Sequence, residues 1–569
     1  MAANESAAAA SSPGLELATR VMRVVAWLFA GLSLLLVLWV VVGRFIQPAQ
    51  AEWMTGAVRD GVERVRNGEQ LYAAPSANFV AYIYPPLFFW LAGTLAKVTS
   101  LVVAGRTVSI LASIVAAASI AKIARSLGAT KEWSALAIAL HLGAYSYTLW
   151  FYDLERVDPL EAAISTAAVA LLLHPATGRR DLLQSAGAGA LLGLAYFAKQ
   201  PGLIIFVAAL GGLVVARELK RAAIVGASGG LVAAVVGGYA QSASHGWFSY
   251  YVIKLPSAHG IKLSLVSLFW VTDVPKGFAL AAGSIGVVAA ASYKLLRAEK
   301  QPWRDLAFAS VVGGSMMGAF LLRAHVGGFI NVLLCWTPFG CAAAAVAASR
   351  ATESFAEPRA RNALRIAFFA ALSLQLAGWI FDPNEVTPGP SDLKEDQELA
   401  RVVKMLEKEG EVIVTTNGNV TIPRHFHAAA LFDVIRAGHP LPDDYMTGLQ
   451  SRKYSALLVG APNETECELQ TCKDAAIAVM ANYFVASRQP TPQRPSLVGF
   501  DARAGWLMRP RKRPLTGMSL DDLNERAKIE QGLAEARAAV GGKNADAAQW
   551  HDDIEDLAAQ QQAAMSSKR

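Results

Sequence analysis

Charged residues are scarce in this sequence, and their scarcity excludes a large soluble protein. Of the 569 residues, only 17% are charged, whereas 54% are hydrophobic. A soluble globular protein carries about 25% charged residues. Most of the charge here falls in short clusters between long apolar runs, which is typical of a chain that crosses a lipid bilayer several times. The sequence therefore predicts a polytopic α-helical membrane protein.

Cysteine is also scarce, since the chain has only four, and a disulfide scaffold is excluded. Cys335 and Cys341 lie in an apolar run, where cysteine usually acts as a small buried hydrophobic residue. Cys467 and Cys472 lie in a polar region, and they could form one short-loop disulfide if that region is outside the cytoplasm. Their spacing is a poor metal signature, because no histidine stands at ligand distance nearby.

The motifs of several common enzyme classes are missing. The chain has no Walker phosphate loop, no Gly-x-Ser-x-Gly, no His-Glu-x-x-His and no repeated nucleotide fingerprint. It also has no RNA- or DNA-binding motif, although its formal net charge is +7. The lysines and arginines lie mainly between apolar runs, where the positive-inside rule places them. We therefore expect membrane lipids, and no nucleic acid, among the partners of this chain.

Eleven apolar runs are long enough to predict membrane helices. Their predicted limits are 22–43, 106–123, 133–150, 158–173, 182–198, 200–216, 222–240, 277–293, 306–322, 327–348 and 364–381. The first run continues into Arg44 without a small-residue cleavage site, which indicates a retained helix and not a signal peptide. A shorter run at 85–96 predicts an interfacial or re-entrant helix.

Basic residues in alternate linkers predict the orientation of these helices. Five linkers carry them, namely those after the second, fourth, sixth, eighth and tenth helices: Lys122/Arg125/Lys131, Arg179/Arg180, Arg217/Lys220/Arg221, Lys294/Arg297/Lys300/Arg304 and Arg350/Arg359/Arg361/Arg365. Because positive linkers face the cytoplasm, we expect a cytoplasmic N-terminus. The loops 44–105 and 241–276 and the chain after residue 381 are then predicted to be extracytoplasmic.

The two ends of the chain differ from the predicted transmembrane domain, residues 20–381. Residues 382–515 alternate short apolar runs with turns and helical stretches, which predicts a small extracytoplasmic α/β domain. Residues 1–19 are rich in Ala and Ser, and we expect them to be disordered in the cytoplasm. Residues 516–569 are charged and rich in Ala and Gln, which predicts an exposed helical or disordered tail.

Four short motifs lie at the predicted outer ends of the helices. The first outer loop contains Glu52, then Gly68-Glu69-Gln70-Leu71-Tyr72, then Tyr82-Ile83-Tyr84-Pro85-Pro86-Leu87. The others are Arg156-Val157-Asp158-Pro159, Ala198-Lys199-Gln200-Pro201 and His325-Val326-Gly327-Gly328-Phe329-Ile330-Asn331. Over residues 20–460 this ordered set resembles the GT-C type membrane glycosyltransferases, which include the lipid A aminoarabinose transferases and the protein O-mannosyltransferases.

The resemblance implies that acidic residues at these positions take part in sugar transfer from a polyprenyl-phosphate carrier. The family places a carboxylate of the first outer loop as the base for the acceptor hydroxyl. By position this is Glu52, with Asp60 as the alternative, although the best-known members have Asp where this chain has Glu52. Either residue also fits a solvated loop carboxylate. For Asp158 the resemblance implies a second catalytic or donor-orienting carboxylate, and the helix dipole alone would also favour an acid there.

Arg156 and Lys199 are candidates for the phosphate of the donor. A compact ammonium or a guanidinium suits a lipid phosphate. Each residue has a simpler explanation as well: Arg156 can pair with Asp153 or Glu155, and Lys199 can snorkel from an outer turn.

Arg323 and His325, at the predicted start of the tenth helix, are further candidates for substrate binding. No cofactor is predicted with certainty. The resemblance leaves the use of a divalent metal as an open alternative, because some family members bind one in the loop that here contains His245, Lys254 and His259. No two of these three residues have a firm ligand spacing.

The leading hypothesis is a glycosyltransferase that moves a hexosyl or pentosyl group from a lipid-phosphate carrier to an acceptor hydroxyl at the outer face of the membrane. The family resemblance and the Ala-rich composition favour the bacterial inner membrane. The acceptor would then be a cell-envelope glycan, lipid or protein. The main alternative is a membrane transporter or lipid flippase, although the sequence shows neither matched halves nor broken helices near the midplane. A third class is a non-catalytic membrane scaffold.

Overall fold

The computed structural model describes residues 13–47, 49, 51–297, 303–416, 425–460, 470–488, 505–540 and 551–566. Contacts divide the chain into two compact units. The first, the helical unit, consists of Met1–Phe45, Tyr84–His245 and Gly260–Val386. The second, the mixed unit, consists of Ile46–Ile83, Gly246–His259 and Thr387–Arg569. Each unit therefore gathers segments that lie far apart in the sequence.

Long helices joined by short turns build the helical unit. In chain order the helices are α1 Pro13–Ile46, α2 Thr55–Arg66 (part of the mixed unit), α3 Leu87–Leu95, α4 Leu101–Ser126, α5 Lys131–Tyr147, α6 Val157–Leu173, α7 Gly178–Ala198, α8 Pro201–Val215, α9 Leu219–Ala243, α10 Phe278–Leu296, α11 Trp303–Ala324, α12 Thr337–Ser354 and α13 Pro358–Ala377. Short helical turns cover 263–276, and a 3-10 helix, Ile330–Cys335, precedes α12.

The chain is a mostly helical membrane protein, as predicted. Within the described ranges, five helices are both long and apolar enough to cross a membrane, namely α1, α4, α9, α10 and α11. The full number of eleven crossings and the orientation stay predictions. Several helices begin at residues suited to capping: the Ser100 hydroxyl accepts from the Val103 N–H before α4, and Thr130 does the same for Trp133 before α5.

Two helix starts differ most from the predicted ones. α1 begins at Pro13, within the segment predicted to be disordered, whereas residues 1–12 lie outside the described part of the chain. Proline suits the first turn of a helix because its fixed φ is already helical. The helix predicted at 327–348 starts as the 3-10 helix and becomes α-helical only at Thr337. Pro338 explains this break, because its ring clashes with the carbonyl one turn earlier in a continuous helix.

Glycines bring α7 and α9 into close contact. A Cβ atom built on Gly193 would lie 2.5 Å from the Gly229 carbonyl oxygen, and one built on Gly189 would lie 2.3 Å from the Val225 carbonyl oxygen. Distances this short leave no room for a larger side chain. Small residues let membrane helices approach until their backbones touch, so these glycines serve helix packing.

Three of the five basic linkers meet at one end of the helical unit. The Arg350 guanidinium donates to the Asp305 carboxylate at 2.6 Å and to the Leu127 carbonyl at 2.7 Å. Lys294 pairs with the same carboxylate at 2.7 Å. The linkers before α5, before α11 and after α12 therefore lie side by side. This is the arrangement that an alternating topology requires.

The C-terminal part of the mixed unit contains a five-stranded sheet. Its strands are β1 Val412–Thr416, β2 His425–His427, β3 Ala456–Val459, β4 Tyr483–Arg488 and β5 Trp506–Pro510, in the order β2-β1-β3-β5-β4. β1 is parallel to β2 and β3, whereas β5 is antiparallel to β3 and β4. The surrounding helices are α14 Pro390–Leu406, α15 Ala428–Arg436, α16 Asp443–Gln450, α17 Gln470–Asn482, α18 Leu520–Val540 and α19 His551–Ser566. Buried apolar side chains of α14, such as Val403, pack on β1.

Two loops of the mixed unit are bonded to this C-terminal part. The backbone N–H of Ala77 donates to both carboxylate oxygens of Asp444, at 3.0 and 2.9 Å. The Nε2 atom of His259 lies 2.8 Å from the Oδ1 atom of Asp433. Segments that bond to one another must lie on the same side of a membrane. The loops 46–83 and 246–259 therefore share a side with the chain after Thr387.

The cysteines fall into two groups. Cys335 and Cys341 are free and buried, in agreement with their expected role as small hydrophobic residues. Cys472 is disulfide-bonded. Cys467, the predicted partner, lies outside the described residues.

A buried ion network in the mixed unit predicts a local loss of stability. Glu530 on α18 pairs with Arg511 at 2.8 Å and with Arg526 at 2.9 Å, and it accepts from the Val485 N–H in β4 at 3.0 Å. Removing the carboxylate leaves two guanidinium groups without their acid, which costs about 3–5 kcal/mol in buried pairs. We expect Glu530→Ala to lower hydrogen-exchange protection in β4 of the full-length protein. The control Glu535→Ala removes an exposed acid and should change it little; equal losses would contradict the prediction.

Candidate functional site

A buried carboxylate contacts three nitrogen-bearing side chains at the start of α6. Asp158 lies in the first turn of this helix and is 2% exposed. Its Oδ1 atom accepts from the Lys199 Nζ atom at 2.5 Å and from the Asn331 Nδ2 atom at 2.7 Å. Its Oδ2 atom lies 3.5 Å from the Nε atom of Arg156. We refer to these four residues as the Asp158 cluster.

Breaks between helices position the members of the Asp158 cluster. Arg156 immediately precedes α6 and has an extended backbone, with φ −136° and ψ 148°. Lys199 follows α7 and is also extended, because α8 does not begin until Pro201. Asn331 lies in the 3-10 helix before α12. Since the basic linkers lie at the other ends of α6 and α7, the cluster and those linkers are at opposite ends of these helices.

Aromatic side chains surround the Arg156 guanidinium. Its Nη2 atom donates to the Tyr84 hydroxyl at 3.0 Å. Its central carbon lies 5.3 Å from the centroid of the Tyr84 ring and 5.4 Å from that of Phe151. Aromatic faces attract a guanidinium without neutralising its charge. The Tyr84 contact therefore fixes the direction of the Arg156 side chain.

The Asp158 cluster brings two basic side chains to one carboxylate. Lys199 and Arg156 both contact Asp158, and all three side chains are more than nine-tenths buried. A lysine ammonium and an arginine guanidinium at one place can both donate to an anion such as a phosphate. Glu161 lies one turn further along α6, where its carboxylate accepts from the Ser165 hydroxyl at 2.7 Å.

The alternative partners considered for Arg156 are bound elsewhere. The Asp153 carboxylate pairs with Arg44 at 3.0 Å. The Glu155 carboxylate pairs with Arg106, also at 3.0 Å. The contact of Arg156 with Asp158 therefore belongs to a series of separate ion pairs along one short linker.

Arg323 and His325 form a different group in the same unit. The Arg323 guanidinium donates to the Asp273 carboxylate at 2.8 Å and to the Gly328 carbonyl at 2.7 Å. The Nδ1 atom of His325 lies 2.7 Å from the Val326 carbonyl oxygen. These contacts order the turn after α11 and attach the 263–276 segment to it. The role of Arg323 and His325 in substrate binding stays a prediction.

Glu52 and Asp60, the two candidate bases, belong to the mixed unit. Glu52 is fully buried, and its Oε2 atom accepts from the Met54 N–H at 3.0 Å, which orders the turn before α2. It is therefore not a solvated loop carboxylate. Asp60 lies within α2 and is half-buried. Their catalytic assignment stays a prediction.

The residues considered for a metal are not grouped as ligands. Among the residues that the structure describes, no group of three or more His, Cys, Asp or Glu side chains could hold a metal ion. His259 instead lies against Asp433, as described above. The requirement for a metal stays open.

The fold is similar to that of ArnT from Cupriavidus metallidurans bound to undecaprenyl phosphate, with a TM-score of 0.53 and 12% identity over 85% of this chain and 97% of that chain. The apo state of the same protein matches with a TM-score of 0.52 and 13% identity, over 84% and 98% of the two chains. At this identity the likeness shows a shared fold alone.

A sequence comparison points in the same direction. Residues 84–237 match the family model described as dolichyl-phosphate-mannose-protein mannosyltransferase. The matched segment begins at Tyr84 and contains Arg156, Asp158 and Lys199. No curated protein matches the chain. The predicted resemblance to the GT-C type glycosyltransferases is thereby confirmed.

Sequence reasoning missed two residues of this site. Asn331 and Tyr84 lie in the motifs described above, but the sequence does not predict that either contacts a side chain of the Asp158 cluster. Asn331 is 173 residues from Asp158 in the chain, and Tyr84 is 72 residues from Arg156. The one available signal was an amide at the start of an otherwise apolar helix, because polar groups in such places usually have partners.

The Lys199–Asp158 pair predicts non-additive effects on stability. Lys199→Met leaves a buried carboxylate with less positive charge around it, and breaking a buried pair costs about 3–5 kcal/mol. Adding Asp158→Asn then removes a partner of a pair that is already broken. We expect the double variant to lower the melting temperature by less than the sum of the two single variants, measured on the purified full-length protein. Lys97→Met, at an exposed lysine, is the control and should change the temperature little; additive losses would show that the two residues do not interact.

Proposed function

We propose that this protein is a glycosyltransferase that moves a sugar from a polyprenyl-phosphate donor to an acceptor hydroxyl at the extracytoplasmic face of the membrane. The observation that carries the proposal is the Asp158 cluster, in which two buried cations surround one carboxylate. The relatives support a lipid phosphate as the ligand of this cluster. ArnT was crystallised with undecaprenyl phosphate, and the matched family model is named for dolichyl-phosphate-mannose.

Lys199 and Arg156 would bind the phosphate of the donor. A lysine ammonium acts on phosphate as a point charge, whereas arginine offers a planar set of N–H donors. Asp158 and Asn331 would orient this group: Asp158 contacts both cations, and the Asn331 amide donates to the same carboxylate. An arriving phosphate would therefore meet donors that are already held in place, which lowers the cost of reorganisation.

The reaction makes one bond and breaks one bond at the anomeric carbon of the sugar. The acceptor oxygen attacks this carbon from the side opposite the phosphate, so that the configuration inverts. The bond from the carbon to the phosphate oxygen breaks, and its electron pair stays on the polyprenyl phosphate. Lys199 and Arg156 would stabilise the charge that develops there.

The proton of the acceptor hydroxyl needs a base. We assign this role to Glu52, with Asp60 as the alternative. Burial of Glu52 supports the assignment, because its carboxylate is held in a fixed position by the Met54 N–H. The proton would move from the acceptor oxygen to the carboxylate as the new bond forms.

Three features support the extracytoplasmic face. The bonds from Ala77 to Asp444 and from His259 to Asp433 place both outer loops on the side of the C-terminal segment. The basic linkers lie at the end of the helices that is opposite the Asp158 cluster. A disulfide at Cys472 fits an oxidising compartment. We therefore place the protein in the bacterial inner membrane, with a cell-envelope glycan, lipid or protein as the acceptor.

Binding and turnover separate this proposal from a transporter or flippase. The probe for binding is undecaprenyl phosphate, titrated into the full-length protein in lipid nanodiscs. Turnover is the release of undecaprenyl phosphate from a panel of synthetic undecaprenyl-phosphate sugars in the presence of cell-envelope fractions. Lys199→Met should weaken binding about 10- to 100-fold, since a hydrogen bond to a charged group contributes about 1.5–3 kcal/mol. Binding without turnover by the unchanged protein would favour a flippase.

Glu52→Gln is expected to reduce turnover about 10²- to 10⁴-fold, because the amide cannot accept the proton. The glutamine oxygen still accepts from the Met54 N–H, so the turn before α2 keeps its bond. Asp60→Asn is the matched variant within the same loop. A loss with Asp60→Asn but not with Glu52→Gln would transfer the role of base to Asp60, and full activity of both variants would exclude a base from this loop.

The proposed orientation predicts opposite labelling of two single cysteines. Asn78 and Arg297 are both exposed, the first in an outer loop and the second in a basic linker. With Cys335 and Cys341 buried, Asn78→Cys should react with a membrane-impermeant thiol reagent in spheroplasts. Arg297→Cys should react only after the membrane is permeabilised. The reverse pattern would place the Asp158 cluster on the cytoplasmic side.

A further inference from the structure

Two buried arginines hold the linker that carries Arg156, and neither has a role in the reaction described above. We propose that Arg44 and Arg106 are positioning residues, which fix the linker 148–156 so that Arg156 and Asp158 face the phosphate of the donor. This inference rests on the proposed function. It concerns residues of α1 and α4, outside the Asp158 cluster itself.

Arg44, near the end of α1, makes the larger set of contacts. Its side chain is completely buried. Its Nη1 atom donates to the Asp153 carboxylate and to the Trp150 carbonyl, both at 3.0 Å. Its Nε atom donates to the Val386 carbonyl at 2.9 Å. The Tyr145 hydroxyl also donates to Asp153, at 2.6 Å. One guanidinium thus connects α1 to the middle of the linker and to the segment after α13.

Arg106, on α4, holds the next acidic residue of the linker. Its Nε atom pairs with the Glu155 carboxylate at 3.0 Å, and each side chain is 2% exposed. It also donates to the backbone carbonyl of Arg44. The two arginines are therefore parts of one network. Glu155 immediately precedes Arg156. Arg106 therefore holds the residue next to the one that is proposed to bind the phosphate.

The linker needs this support because its backbone is irregular. Leu149 and Trp150 have positive φ values of 54° and 59°. The left-handed region costs roughly 1–2 kcal/mol for each residue other than glycine. Backbone strain of this kind persists when the surrounding structure fixes it, and it clusters at functional sites. Serines of α4 add to the support, since Ser113 donates to the Tyr152 carbonyl at 2.7 Å and Ser109 to the Arg156 carbonyl at 3.2 Å.

A glycine of α4 shows how closely Glu155 is seated. A Cβ atom built on Gly105 would lie 2.8 Å from Cγ and 3.1 Å from Cβ of Glu155. Gly105→Ala must therefore displace the side chain of Glu155, the residue that precedes Arg156. The substitution adds one methyl group, removes no charge and touches neither Lys199 nor Asp158. It is a direct test of positioning.

The experiment measures the affinity for undecaprenyl phosphate and the melting temperature of the full-length protein in nanodiscs. Gly105→Ala and Glu155→Gln should each weaken binding roughly tenfold, since the linker loses its support. Two glycine variants are matched controls: Gly230 has no atom near a built Cβ, and a Cβ on Gly283 would lie 2.3 Å from Ala344 in a different helix pair. Neither Gly230→Ala nor Gly283→Ala should weaken binding.

Arg106 variants provide a second measurement if Gly105→Ala does not fold. Arg106→Gln removes the charge that holds Glu155, whereas Arg106→Lys keeps it and should recover part of the affinity. A residue with only a structural role would change the melting temperature and leave the affinity unchanged, and Gly283→Ala reports that behaviour.

The outcomes separate this inference from the proposed function. Positioning by Arg44 and Arg106 is supported if Gly105→Ala and Glu155→Gln bind undecaprenyl phosphate more weakly while both glycine controls keep the affinity of the unchanged protein. If Lys199→Met weakens binding but Gly105→Ala and Glu155→Gln change it by less than about twofold, positioning by Arg44 and Arg106 is overturned and the phosphate site stands. If the unchanged protein does not bind undecaprenyl phosphate, both the proposed function and the inference fall.

Discussion

Neutralisation of the Lys199 ammonium by the Asp158 carboxylate is the interaction on which the rest of this structure depends. A lone charge inside a helical bundle loses its hydration, and this loss costs several kcal/mol unless an opposite charge is adjacent. The pair joins the start of α6 to the end of α7, and Asn331 adds the 3-10 helix before α12. Three breaks in the helical structure are thereby fixed at one position, beside the Arg156 side chain.

Two buried arginines stabilise segments in which the backbone leaves the helical conformation. Carbonyl groups in irregular segments lack the hydrogen bonds that a helix supplies, and a membrane offers no water to replace them. The guanidinium groups of Arg44 and Arg323 donate both to a carboxylate and to backbone carbonyls. Each arginine therefore donates both to the backbone carbonyl of an irregular segment and to a buried carboxylate. The acids in turn keep the arginines inside the bundle, so irregular backbone and buried charge stabilise each other.

The helices were predictable because a bilayer imposes long apolar runs. The break at Pro338 was not predictable, because it lies inside one such run. Asp158 and Lys199 could be identified because each interrupts apolar sequence at a helix end. Their mutual contact could not, since 41 residues separate them and distance in space depends on how α6 and α7 pack. Asn331 was missed for the same reason. Burial of Glu52 was equally invisible, because loops of similar composition are often solvated.

The mixed unit can assemble only late in synthesis, because its segments come from both the beginning and the end of the chain. Ala77 is synthesised 367 residues before Asp444, the carboxylate that receives its N–H. At about 5–20 residues per second, the first outer loop waits roughly 20–70 s for that partner. During this interval the loop has left the ribosome while the sheet that holds it does not yet exist. Synthesis of the last strands therefore completes a unit that begins near the start of the chain, and a ribosome that stops early leaves an exposed loop for proteases and chaperones.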